Sequence, residues 1–87
     1  MVIFGCGARG KSILKLLFYR EDKILCCTDN NESLWETDLE GVRVVSPDFA
    51  VDKYSEALFV IANKMHSSDI AQQLNNMGIP EEQIWIY

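Results

Sequence analysis

Residues 2–10 read VIFGCGARG. Three apolar residues run straight into glycines at positions 5, 7 and 10. Val2-Ile3-Phe4 is β-branched and aromatic with no polar alternation, the pattern of a short strand buried on both faces. Gly5-Cys6-Gly7-Ala8-Arg9-Gly10 is a complete G-x-G-x-x-G. That pattern is weak alone. Here it follows a strand and opens a helix, and an acidic residue, Asp29, closes the next strand 19 residues after Gly10. Strand, glycine turn, helix, strand and acid in that order give the pattern its meaning.

Working outward, Lys11 to Arg20 carries apolar residues at Ile13, Leu14, Leu17 and Phe18, with Leu16 beside them, the stripe of a helix packed on a sheet. Ile24 to Thr28 is a second apolar run, closed by Asp29-Asn30-Asn31, and a polar loop holding Trp35 follows. Gly41 permits a turn into Val42-Arg43-Val44-Val45, a short strand. Ser46-Pro47-Asp48 starts a helix of one or two turns, with Ser as N-cap, Pro at the first helical position and an acid in the first turn. Ala57 to Ala62 is the most apolar stretch and predicts a central strand. Ile70, Leu74 and Met77, with Ala71, mark a helix that stops at Gly78 before Pro80. Ile84 to Tyr87 is a last strand.

Apolar strands alternating with helices predict an α/β domain with a parallel, doubly wound sheet. Right-handed crossovers set the order of its five strands as 3-2-1-4-5. The 87 residues are one small domain, with no linker, repeat or low-complexity segment. The chain starts and stops inside apolar strands, which reads as a piece of a longer protein or a domain trimmed to its ordered part. No apolar run reaches membrane-spanning length and no signal peptide is present, which argues for the cytoplasm. The net charge of −5 without a basic cluster argues against a nucleic-acid surface. Cys6, Cys26 and Cys27 form no metal-binding spacing and read as small buried hydrophobes in a reducing compartment. Cys6 lies near a helix N-terminus, where a thiol pKa tends to fall. His66, Ser67, Ser68 and Asp69 read as a helix start, so no catalytic residue and no metal ligand is assigned. Trp35 reads as a loop cap over the core.

Each glycine has a physical use. Gly5 turns the chain sharply out of the strand, Gly7 lets a phosphate reach the backbone, and Gly10 lets the helix lie against the strand. The helix N-terminus then offers free N–H groups to an anion. Asp29 stands where ribose hydroxyls would need an acceptor. Asn30 and Asn31 follow it with no Arg to hold a 2′-phosphate, which favours NAD over NADP and leaves UDP-type nucleotides open.

"VIFGCGARGKSILKLL", "CCTDNNESLWETDLEGVRVVSPDF" and "LFVIANKMHSSDIAQQLNNMGI" together resemble the small Rossmann-like domain of sugar-nucleotide dehydratases and epimerases, polysaccharide-biosynthesis transferases and sugar acetyltransferases. The resemblance implies a nucleotide-binding accessory domain of a carbohydrate or cell-surface polysaccharide-processing protein, not a complete enzyme by itself. It places Gly5, Gly7 and Gly10 at the phosphates, Asp29 at the ribose and Asn63 beside the ligand; Cys6, Ala8 and Arg9 of the same loop, and Asn30 after Asp29, complete the expected cofactor-binding set. NAD or a nucleotide-sugar is the expected ligand.

The alternative is a ligand-free scaffold. Its marks would be a Cys6 or Arg9 side chain filling the phosphate position, or an Asp29 tied up by backbone amides. The apolar strand Ile84–Tyr87 is expected at a sheet edge, buried in a homodimer or against a missing domain.

Overall fold

A computed structural model describes residues 1–87. The chain runs β1 (Val2–Phe4), α1 (Ala8–Tyr19), β2 (Cys26–Thr28), β3 (Asp38–Leu39), β4 (Val42–Val45), α2 (Pro47–Lys53), β5 (Phe59–Ile61), α3 (Ser67–Asn76) and β6 (Ile84–Ile86). Short 3₁₀ turns at Glu32–Leu34 and Glu81–Gln83 complete it.

The six strands lie in the order β3-β4-β2-β1-β5-β6. Five are parallel and follow the expected 3-2-1-4-5 winding, with β1 at the centre between β2 and β5. The sixth, β3, is an addition: it pairs antiparallel with β4, Asp38 opposite Arg43. Its hairpin turns at Glu40 and Gly41, both at positive φ (51° and 82°). A two-residue I′-type turn requires that combination, and it is usually signalled by Asn-Gly or Asp-Gly. With Glu in the first place, the hairpin carries no such signal.

Side chains alternate across β1 and so build two cores. On one face Ile13, Leu14 and Leu17 of α1 pack on Ile3, Cys27, Val44 and Val60. On the other, Ala50 of α2 with Ile70 and Leu74 of α3 pack on Val2, Phe4, Phe59 and Ile61. Burying each of these larger side chains contributes about 1.5–3 kcal/mol. The α1 stripe is narrower than its sequence suggests: Phe18 is 45 % exposed. The helix also begins earlier than Lys11, because the second half of the glycine motif is already helical. Ser46 caps α2 as expected, its Oγ accepting from the Phe49 amide at 3.1 Å.

β6 is an edge strand. Ile84 packs into the α2/α3 core, while Trp85 and Ile86 are each 60 % exposed. Trp85, Ile86 and Tyr87 all border one apolar groove against Leu16 and Leu17 of α1, so Ile86 does not share the Ile84 environment that simple alternation implies. No helix is long and apolar enough to cross a membrane.

Candidate functional site

Two adjoining cavities open at the carboxyl ends of β1, β2 and β5, the edge where a doubly wound sheet leaves a crevice. One, of about 290 Å³, is walled by the glycine loop, Asp29, Asn63 and Lys64. The other, of about 350 Å³, continues past Asp29 and Asn63 to Asn30, His66, Asp69 and Gln73.

The three glycines are not equivalent. Gly5 sits at φ +122°, and a Cβ there would lie 2.6 Å from the Ala62 carbonyl oxygen. A Cβ on Gly10 would lie 2.0 Å from the carbonyl oxygen of Gly5. Both glycines are therefore demanded by the chain's own packing, which seats α1 against β1. Gly7 is different. A Cβ there would meet nothing within 4 Å, its φ of −82° suits any residue, and it is exposed. The fold does not need a glycine at 7, and what the missing side chain leaves is open space in front of a helix N-terminus. The amides of Gly7, Ala8, Arg9 and Gly10 take no partner within the chain, and α1 has no side-chain cap. Four N–H groups at the positive end of a 12-residue helix are thus left unpaired, and Gly7, Ala8 and Arg9 among them line the cavity. α3, whose first turn borders the larger cavity and whose N-cap His66 borders both, also lacks a side-chain cap.

Asp29 is half-buried where β2 ends. Its Oδ2 accepts the Cys6 amide at 2.9 Å and its Oδ1 accepts the Asn31 amide at 2.8 Å. The carboxylate thus holds the glycine loop and the turn after β2 together. The indole of Trp35 donates to the Asp29 carbonyl at 2.7 Å and packs on the α1-side core, the cap role expected of it. Asn63 Oδ1 accepts the amides of Met65 and His66 at 3.1 and 3.0 Å, bending the chain from β5 into α3. Asn30 pairs with Gln73 of α3 by two reciprocal amide hydrogen bonds of 2.9 Å.

The marks of a ligand-free scaffold divide. Asp29 is indeed engaged by backbone amides. The phosphate position, however, is filled by neither side chain: Arg9 reaches away to the Tyr87 carbonyl at 2.6 Å and stacks its guanidinium 5.0 Å from that ring, and Cys6 Sγ turns to the Thr28 carbonyl at 3.7 Å. Nor is Cys6 activated. Burial, with the Asp29 charge second, pushes its thiol up to about 12, against the lowering expected near a helix N-terminus. His66 Nδ1 stands 3.9 Å from Asp69 Oδ2 at the start of α3. No group of three or more His, Cys, Asp or Glu side chains is arranged to hold a metal ion.

The glycine loop, Asp29, Asn30 and Asn63 are thus brought to one edge. Gln73, His66 and Asp69 join them unannounced by any motif. Their only signal was position: His66 is the N-cap of α3, the helix that follows β5, and Asp69 and Gln73 lie in its first two turns.

Among solved structures, the fold matches that of RSP, a Rex-family repressor, with a TM-score of 0.76 and 18 % identity over 99 % of this chain and 43 % of the other. It also matches RSP in complex with β-NAD⁺ and operator DNA, with a TM-score of 0.70 and 14 % identity over 99 % of this chain and 48 % of that one. At such identities the likeness establishes the Rossmann-like fold, and the chain spans less than half the length of the solved chains it matches. The resemblance to sugar-nucleotide enzymes is not shown by these matches, and neither carbohydrate processing nor a UDP-type ligand is supported. The exclusion of nucleic acid is corrected: a protein containing this fold is found on operator DNA. Net charge describes one domain's surface and does not restrict the partners of a longer protein. No curated protein matches the sequence. A family model described as "C2185-like, N-terminal" matches residues 1–85. The chain belongs to that C2185-like, N-terminal family.

Proposed function

We propose that this domain binds NAD in the crevice above β1, β2 and β5 as the nucleotide-binding module of a longer protein. The observation that carries the reading is Gly7, a glycine that no packing, turn or positive φ requires, set before four unpartnered amides. A diphosphate would take those amides and the α1 N-terminus. Asp29 would accept ribose hydroxyls: each carboxylate oxygen has two acceptor positions and the backbone uses one of each. The absence of an Arg after Asp29 favours NAD over NADP. The RSP complex with β-NAD⁺ supports NAD over a UDP-type ligand and a regulatory setting over a carbohydrate-processing one.

Titration with NAD⁺, NADH and UDP, followed by amide chemical shifts, tests this. NAD⁺ or NADH should move the Gly5–Gly10 resonances, and Gly7→Val should abolish the movement with the fold intact. Unmoved loop amides at millimolar ligand would refute it. A second reading, the ligand-free scaffold, is favoured by the engagement of both Asp29 oxygens, and that same silence would establish it.

A further inference from the structure

The larger cavity at the site has an unusual wall for an adenosine pocket. Of the nine residues around it, only Phe4 and Ile70 are apolar. Nucleotide pockets are mostly apolar with a few placed polar groups; this one is polar around most of its rim. Within that rim, Asn30 and Gln73 present to each other one donor and one acceptor apiece, closing a ring of two 2.9 Å bonds across 43 residues of sequence. A primary amide offers that same donor–acceptor edge to adenine, whose adjacent amino group and ring nitrogen match it in a bidentate pair. Gln73 is half-buried on α3, whereas Asn30 is exposed on the turn after β2.

Resting on the nucleotide-binding reading above, we infer that Gln73 is the residue that recognises the base of the bound nucleotide, and that Asn30 occupies its recognition edge until the base arrives. The exchange replaces two amide–amide bonds with two amide–base bonds, so no buried polar group is stranded. The ligand class is accordingly an adenine nucleotide read through its amino-bearing edge rather than any nucleotide held by its phosphates alone.

The test compares ADP with N6,N6-dimethyl-ADP, in which two methyl groups block that edge and leave the diphosphate and ribose unchanged. The wild-type protein should prefer ADP by about tenfold or more, the discrimination a bidentate amide–adenine pair supplies. Gln73→Ala should bring the ratio close to one without loss of fold, since Ala is the best helix former and the position is on α3. Asn30→Ala should keep the ratio. If ADP binds, and depends on Gly7, yet the ratio is near one in the wild type or survives in Gln73→Ala, the inference falls and the nucleotide-binding reading stands. If ADP does not bind at all, the inference falls, and the NAD⁺ titration of the loop amides decides the nucleotide-binding reading separately.

Discussion

The Asp29 carboxylate accepts the backbone amide of Cys6 at 2.9 Å, joining the end of β2 to the middle of the glycine loop. Its other oxygen accepts the Asn31 amide. One side chain thus sets the shape of the loop and of the turn that faces it.

Asp29→Ala should therefore weaken the fold as well as the site. Two amides lose a charged acceptor, and hydrogen bonds to charged groups contribute about 1.5–3 kcal/mol each when buried; for this half-exposed carboxylate the expected total is about 1–3 kcal/mol. In a domain of this size that is a fall in Tm of roughly 4–8 °C per kcal/mol. Thermal unfolding followed by circular dichroism measures it. An unchanged Tm would show that the two amides are as well served by water.

The glycines should separate cleanly on substitution. Gly10→Ala drives a Cβ into the Gly5 carbonyl at 2.0 Å, and backbone cannot yield as a side-chain tip can. A loss of about 3 kcal/mol or more is expected. Gly7→Ala meets no atom and needs no new φ, so its stability should stay within about 0.5 kcal/mol of wild type. Urea midpoints of the two variants give the comparison. Equal losses would contradict the division of labour among the three glycines.

Alkaline pH should destabilise the protein through its thiols. Burial pushes Cys6 and Cys27 up to about 12 and Cys26 to about 11, from an ordinary value of 9.0. A folded-state pKa above the unfolded one means stability that is complete below pH 9 and eroded as pH rises toward 11–12, because the unfolded chain releases its thiol protons first. Melts at about pH 8 and about pH 10.5 should show a drop that is smaller in Cys27→Ala, whose other titrating groups are the same. The thiols should also alkylate slowly in the native state near neutral pH. Rapid native-state alkylation of Cys6 would sink this account.

Ser46→Ala removes the cap that accepts the Phe49 amide. The expected cost is about 1 kcal/mol, with Ser46→Asp close to neutral. Denaturant unfolding of both variants decides whether the cap or the Pro47 start alone holds this seven-residue helix.

Much of the architecture was legible because local rules point one way. Val2-Ile3-Phe4 and Phe59-Val60-Ile61 are apolar on both faces and so belong to a covered parallel sheet, and crossover handedness then orders the strands. Glu40 at positive φ could not be foreseen, so the β3 hairpin was not; its turn is held by pairing between Leu39 and Val42 rather than by the preference of the residue. At the site, the G-x-G-x-x-G and Asp29 announced themselves by spacing, and Asn63 by resemblance alone. Which glycine is free of the fold did not: the separation of Gly7 from Gly5 and Gly10 exists only once α1 is laid against β1 and β5 against both. The same holds for Gln73 and Asn30. Nothing 43 residues apart in sequence signals a paired amide; α3 had to be packed beside the end of β2 for the two to meet. Strand order follows from periodicity and chirality, which are local. The wall of a cavity is made by residues distant along the chain, and only tertiary packing decides which of them share it.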